Sequence, residues 1–117
     1  MNRPLKFKVW NKKSNEWCGT IGLNETISHN ELEYDTDDLV FVQYTGLTDS
    51  KNKEIYEGDI VKWGDLNYIV EYNHTACKWQ GRCPYYHSYH HPTTEHFRDL
   101  MNGVIVGNYF ENNDLLK

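Results

Sequence analysis

Short stretches of alternating hydrophobic and polar residues run through this chain, which is the period-2 pattern of β-strands. In residues 5–10 the apolar side chains at 5, 7 and 9 share one side, and Lys6 and Lys8 share the other. A polar turn over 11–15 leads into a return strand that starts at 16–18. Residues 19–38 are polar and predict a loop with short strands at most, whereas 40–44 predicts a clear strand.

The strongest local signal is a β-hairpin in the middle of the chain. Gly64-Asp65 separates two strand-like runs, 60–63 and 66–70, and a two-residue loop pairs Trp63 with Leu66 and Val61 with Tyr68. One face of the hairpin is then apolar and is predicted to be core. The reverse face is predicted to be half exposed, and it carries Ile60, Lys62, Asn67, Ile69 and Glu71.

The remaining elements are weaker predictions. Residues 49–53 form a turn, and Asn52 is expected in the left-handed conformation there. Residues 94–101 predict two helical turns capped by Thr93 or Thr94. A final strand over 103–110 follows, and 112–116 closes the chain with a turn or one helical turn.

One long block, VQYTGLTD at 42–49 with KEIYEGDIVK at 53–62, resembles the core signature of the YopX family. The runs LKFKVWNKKS at 5–14 and VGNYFENNDLL at 106–116 resemble its N- and C-terminal motifs. The resemblance implies a small bacteriophage or prophage protein whose biochemical function is not agreed. It covers less than half of the chain.

The expected fold is mainly β, a small partly open SH3-like barrel with one short helix near the C-terminus. The SH3-like part rests on analogy with the tight turn into a strand at 58–61. The 117 residues fit one domain, with a Cys/His/aromatic-rich variable insertion at about 73–99. No apolar run reaches the ~20 residues of a membrane span. The N-terminus lacks a signal-peptide pattern, so the cytoplasm of a bacterial host cell is the expected location.

Charge is distributed unevenly along the chain. The net charge is −5, yet the first 13 residues hold five bases and no acid. Residues 31–38 hold five acids and no base, which indicates either a solvated linker or a face for a basic protein groove. Asp35, Asp37 and Asp38 are the candidate partner-binding residues there. The overall charge disfavours general binding to duplex nucleic acid.

A metal site is the first candidate for chemistry. His74, Cys77, Cys83 and His87 supply two thiolates and two imidazoles, the ligand types that zinc prefers. The alternative ligands are His90, His91 and His96. The five residues between the cysteines exceed the two to four of familiar zinc loops, and a solvated variable loop is the competing interpretation. Zinc is the only cofactor considered; otherwise none is expected.

An aromatic group in the same segment is a candidate contact surface. Its residues are Trp79, Arg82, Tyr85, Tyr86 and Tyr89. The alternatives are stacking of single-stranded bases and a satellite core.

No catalytic group is proposed. A Cys–His nucleophile lacks an orienting third group, and the acids at 54, 57 and 59 are more typical of turn residues than of an acid/base pair.

These observations favour a non-enzymatic phage accessory protein that binds a host or phage protein. One version inhibits a host nucleic-acid-handling or defence system. The alternatives are a small single-stranded nucleic-acid-binding module and a zinc-stabilised regulatory domain. No membrane association is expected, and exposed edge strands make a homo-oligomer a further expectation.

Overall fold

Two antiparallel sheets make up the fold in the computed structural model, which describes residues 5–22, 36–83, 93–96 and 100–116. The first sheet has the order β2-β1-β3-β4, with β1 Lys6–Asn11, β2 Glu16–Gly22, β3 Leu39–Thr48 and β4 Glu54–Tyr56. The second has the order β8-β7-β6-β5-β9, with β5 Asp59–Trp63, β6 Leu66–Asn73, β7 Lys78–Cys83, β8 Thr93–His96 and β9 Val104–Asn108. A short helix, α1 Tyr109–Asn112, and 3-10 turns at Thr36–Asp38 and Asn113–Leu116 complete the described elements. The sheets do not close on each other, so the predicted mainly β, partly open barrel is confirmed, and the SH3-like assignment stays a prediction.

The return strand after the first turn is longer than predicted. β2 continues to Gly22 and pairs with β1, so residues 19–22, predicted as loop with short strands at most, belong to the return strand. A bulge interrupts the pairing, because Trp10 faces Trp17 while Val9 faces Gly19. Polar and glycine residues are tolerated because β2 lies at the edge of the described sheet, where much of its surface is solvated.

The central hairpin has the predicted register, with Trp63 opposite Leu66 and Val61 opposite Tyr68. Its apolar face is buried as expected. The reverse face differs at Ile60, which has no exposed surface. The C-terminal 3-10 turn contacts the same face at Asn67, whose side-chain amide donates to the Leu115 carbonyl at 2.8 Å.

The main hydrophobic core lies on the inner face of the second sheet. It is built from Ile55, Val61, Tyr68, Val70, Cys83 and Leu100. Leu100 packs directly over Gly81, where an added Cβ would lie 2.1 Å from the leucine Cδ1. A glycine is therefore required at this strand position, because the leucine side chain occupies the space that a larger residue would need.

The predicted helix does not start at Thr94, since the backbone of 93–96 forms β8, whereas Leu100 is helical as predicted. Thr93 pairs with Cys83, and two successive threonines suit an extended strand better than a helix. Residues 97–99 lie outside the described part. The final strand ends earlier than predicted because Asn108 caps α1, accepting from the backbone N–H groups of Phe110 and Glu111. One short helix near the C-terminus is nevertheless confirmed.

The turn at 49–53 ties the two sheets together through Asp49. The buried carboxylate accepts backbone N–H bonds from Lys51 at 2.8 Å, Lys53 at 2.9 Å and Ile105 at 3.0 Å. Burial by itself raises the pKa of Asp49, but these donors outweigh it and hold that pKa below the ordinary 3.8. Asn52 has φ 63°, as predicted.

Candidate functional site

The predicted zinc ligands that lie in the described part of the chain are not brought together. His74 and Cys77 lie in the exposed turn between β6 and β7, whereas Cys83 ends β7 with 4% of its surface exposed. A strand rises about 3.3 Å per residue, so the two cysteines lie roughly 20 Å apart. Zn–S bonds are about 2.3 Å, so these thiols cannot share one ion. His87 lies outside the described residues, among which no group of three His, Cys, Asp or Glu could hold a metal.

Of the predicted aromatic contact surface, the described part of the chain includes Trp79 and Arg82. Trp79 is half-buried, lies edge-on to Tyr72 with ring centroids 5.2 Å apart, and packs against the main core. The Arg82 Nε lies 3.0 Å from both carboxylate oxygens of Glu71. Both residues thus have partners within the sheet, which favours the satellite-core alternative for them. Tyr85, Tyr86 and Tyr89 lie outside the described residues.

The predicted acidic face lies beside the basic turn of the first hairpin. Asp37 and Asp38 form the 3-10 turn before β3, and the Asp38 carbonyl accepts from the Lys12 backbone N–H at 2.8 Å. Asp35 lies outside the described part. The acidic and basic segments that looked separate in the sequence therefore adjoin in the fold.

A different site emerges on the first sheet, around Lys8. Its ammonium lies 4.5 Å from the Trp17 ring centre and 4.8 Å from the Tyr56 ring centre. β1 presents Lys8 because alternate residues share a face, and the register aligns it with Val42 of β3. This side of β1, which carries the two lysines, faces aromatic side chains, of which Tyr56 is buried and Trp17 is half-buried.

Two further rings, those of Trp10 and Phe110, extend this group. We call the whole set the lysine–aromatic cluster: Lys8, Trp10, Trp17, Tyr56, Phe110, with the carboxylates of Asp59 and Glu111. The Trp10 ring centre lies 4.9 Å from that of Trp17 and 5.6 Å from that of Phe110. Phe110 reaches the sheet because α1 is anchored by the Tyr109 N–H, which donates to the Gly58 carbonyl at 2.7 Å. Gly58 has φ 87°, and an added Cβ would lie 3.3 Å from the Phe110 ring.

Glu111 joins the helix to the rings. Its Oε1 accepts from the Trp17 indole Nε1–H at 2.6 Å and from the Asn108 side-chain amide at 2.9 Å. The hydrogen bonds from Asn108 and Trp17 lower the pKa of Glu111. The carboxylate is therefore held ionised beside the half-buried Trp17 ring, and it also experiences the positive charge of Lys8.

Asp59, at the start of β5, supplies the second carboxylate of the cluster. Only 6% of its surface is exposed, and its Oδ2 accepts from the Tyr56 backbone N–H at 2.8 Å. Burial raises the pKa of Asp59 to about 6, although Tyr56 N–H and the charges of Lys8 and Lys53 oppose the shift. Burial together with nearby Glu54 raises the pKa of the Tyr56 hydroxyl to about 12, so the phenol stays neutral.

A neighbouring lysine is held differently. Lys6 lies 4.9 Å from the Tyr44 ring centre and forms an ion pair with Glu54. The Lys8 ammonium contacts two aromatic rings and forms no ion pair with any carboxylate in the described ranges. Chemically, the cluster is a cation site made of two π faces, with two acids nearby and a lysine of the chain as its occupant.

Sequence reasoning missed this cluster because it placed the candidate residues in the Cys/His segment. A usable signal was present: each of the three motif blocks contributes at least one member. Lys8 and Trp10 come from the first block, Tyr56 and Asp59 from the second, and Phe110 with Glu111 from the third. Motifs that are distant in sequence but share a fold commonly meet at one place.

Fold and site together define a small, mainly β protein of two open antiparallel sheets with a lysine–aromatic cluster on the first sheet. The chain belongs to the YopX family: the family model, described as YopX protein, matches residues 9–117. Lys8 lies immediately ahead of the matched range.

Among solved structures, protein EF1440 from Enterococcus faecalis is similar, with a TM-score of 0.63 and 18% identity over 97% of this chain and 98% of that one. At this identity the likeness shows the fold alone. No curated protein matches the chain significantly. No helix among the described residues is long and apolar enough to cross a membrane.

Proposed function

We propose that this chain is a non-enzymatic accessory protein of a bacteriophage or prophage, and that it acts by binding a host or phage protein. The observation that carries the proposal is an aromatic patch at the edge of the cluster, formed by Trp17, Tyr109 and Phe110. Tyr109 is 48% exposed, and its ring centre lies 5.7 Å from that of Phe110. Half-exposed Trp and Tyr on a rigid support are the residues that most often anchor protein contacts.

Charge supports a basic partner. Glu111 borders the patch, Asp114 follows in the next turn, and both are exposed. The chain as a whole carries −5. Complementary charge favours encounter with a positively charged surface, such as the nucleic-acid groove of a host protein that handles nucleic acid or acts in defence.

The location of the basic turn favours a protein partner over a nucleic acid. Lys12 and Lys13 are exposed, but the Lys12 backbone is bonded to Asp38 of the acidic 3-10 turn. A phosphate backbone approaching these lysines would meet that acidic segment as well. A non-enzymatic role is also supported by the cluster's carboxylates, since Glu111 and Asp59 both accept hydrogen bonds from neighbouring groups of the fold.

The test compares two exposed aromatic residues on opposite sides of the first sheet. Immobilised wild type, Tyr109→Ala and Phe41→Ala are used to capture proteins from a bacterial host lysate, with identification by mass spectrometry. Phe41 is 46% exposed and pairs with Val9, on the face away from Lys8. We expect one captured protein to be lost with Tyr109→Ala and retained with Phe41→Ala, at unchanged melting temperatures. Equal capture by both variants would remove the aromatic patch from the proposal.

A further inference from the structure

The side chain of Lys8 occupies a site that is built for a cation. Its ammonium is shared by the Trp17 and Tyr56 rings at 4.5 and 4.8 Å, both within the range of a cation–π contact. Asp59 and Glu111 both experience its charge. Asp59 is almost fully buried, so the negative side of the site belongs to the folded framework.

The ammonium of Lys8 is held more weakly than that of the neighbouring Lys6. Lys6 is fixed by an ion pair with Glu54. For Lys8, the described contacts of the ammonium are the two ring faces, and its side chain is half-buried, so the site opens to the surface. An alkylammonium on a flexible stem can leave such a site with a few rotamer changes.

The site also adjoins the aromatic patch. Trp17 belongs to both: one contact of its ring is the Lys8 ammonium, and another is Phe110, whose ring centre lies 5.8 Å away. A partner that packs on Tyr109 and Phe110 would bring its own side chains beside Trp17. A partner with a basic surface, as proposed above, would bring lysine or arginine there.

We propose that the Trp17–Tyr56 pair is a recognition site for a lysine or arginine side chain of the partner protein, and that Lys8 is an internal competitor that closes it. This inference rests on the proposed function for the identity of the partner. In the free protein Lys8 fills the site and shields the rings. On binding, the partner's cation takes its place, and Lys8 turns outward toward solvent.

Competition by a tethered group sets the expected magnitude. A short tether gives an effective concentration in the millimolar range or above. Cation–π contacts at partly exposed sites are weak, so a free monovalent cation at low concentration does not displace the tethered Lys8. Lys8 that fills the site about nine-tenths of the time leaves about one-tenth of the sites open, so removing it is expected to raise the affinity for a free alkylammonium by about tenfold.

The first experiment titrates n-butylammonium, a mimic of the lysine side chain, into wild type, Lys8→Ala and Lys8→Ala/Trp17→Ala at constant ionic strength. The readout is the NMR shift of the Tyr56 ring protons, because Tyr56 is the second ring of the site and every variant retains it. Lys6→Ala is the matched control, because it removes a lysine that lies over one ring only. n-Butanol has a similar carbon chain and no charge.

We expect Lys8→Ala to bind butylammonium about tenfold more tightly than wild type or Lys6→Ala, and to prefer it over butanol. The double variant should lose this binding. Equal response to butanol and butylammonium, or no gain in Lys8→Ala, would overturn the proposal and leave Lys8 as a filler of the aromatic cluster.

A second measurement needs no substitution, which protects the test should Lys8→Ala fail to fold. In wild type the Lys8 ε-methylene protons should show an upfield ring-current shift. Added butylammonium should move that shift toward its random-coil value in a saturable way, whereas butanol should not. A Lys8 signal that is unaffected at all concentrations would contradict displacement. Neither measurement uses a partner protein, so failure of the site and failure of partner capture are read separately.

Discussion

Replacing Asp59 by Asn should abolish most of an unusual pH dependence of stability. Burial raises the pKa of Asp59 from 3.8 to about 6 in the folded chain. Between about pH 4 and pH 6 the folded protein holds this proton and the unfolded chain does not. The free energy of unfolding should therefore fall as pH rises through this window, and then stay level. About two pKa units at about 1.4 kcal/mol each predict a loss of about 3 kcal/mol.

The assay is urea unfolding of wild type and Asp59→Asn at several pH values from 4 to 8. Asparagine keeps an oxygen that accepts from the Tyr56 N–H but cannot ionise. Any constant cost of the amide shifts the variant equally at every pH, so the difference between the two curves isolates the ionisation of Asp59. That difference should change by about 3 kcal/mol in favour of the variant between pH 4 and pH 7.

Asp49→Asn provides a control of the opposite sign. The lowered pKa of Asp49 means that its ionised form stabilises the fold above about pH 4, and that this contribution is lost as pH falls. Asp49→Asn should therefore weaken stability at neutral pH and leave the decrease between pH 4 and 6 in place. Parallel curves for wild type and Asp59→Asn would refute the assignment of a buried, raised-pKa carboxyl.

Three further substitutions test the packing and turns. Cys77 has φ 54°, so Cys77→Gly should stabilise the fold by about 1 kcal/mol in urea unfolding. The gain should exceed that of Asn15→Gly at φ 56°, because asparagine tolerates this conformation. Equal changes in the free energy of unfolding would contradict backbone strain at Cys77. Asp49→Ala leaves three backbone N–H groups without their acceptor and should cost about 3 kcal/mol or more by the same assay, and a loss under 1 kcal/mol would contradict their role. Gly81→Ala should lower the melting temperature through the clash with Leu100. In Gly81→Ala/Leu100→Ala the loss of stability should be smaller than the sum of the two single losses, because the clash is absent. A loss equal to that sum would show that the contact relaxes freely.

Features that depend on neighbouring residues could be predicted from the sequence. The hairpin around Gly64-Asp65 has the predicted register because a two-residue turn fixes which side chains oppose each other. Asn52 takes the left-handed conformation for an equally local reason. The burial of Ile60 could not be predicted from the alternation of the hairpin, because that pattern places Ile60 on the half-exposed face.

The site was harder to predict because its residues occupy environments that are unusual for their types. Alternating lysines indicate a solvated strand face, yet Lys8 lies against two aromatic rings. The Cys and His residues near 77 and 83 are typical zinc ligands by type, but an extended strand separates the two thiols. Residue type suggested a metal, and the topology places the thiols at opposite ends of one strand.

The charges of the cluster lower the stability of the fold, which is an argument that its residues are retained for binding. An ionised, buried Asp59 lowers stability at neutral pH, and the Lys8 stem would be replaceable by an unbranched apolar side chain of similar length. Lys8→Met/Asp59→Asn removes both charges while keeping the approximate shape. We expect this double variant to equal or exceed the stability of wild type at pH 7. It should also lose the captured partner, because an unbranched apolar side chain at position 8 still fills the ring pair and the charge of Asp59 is absent. Urea unfolding and lysate capture are measured on the same preparation.

Lys62→Met is the matched control, since Lys62 is an exposed lysine on the other sheet. It should retain both stability and capture. A double variant that is as stable as wild type and still captures the partner would separate the charges of the cluster from binding, and would assign recognition to the aromatic patch alone. A double variant that is much less stable than wild type would instead show that the two charges stabilise the fold.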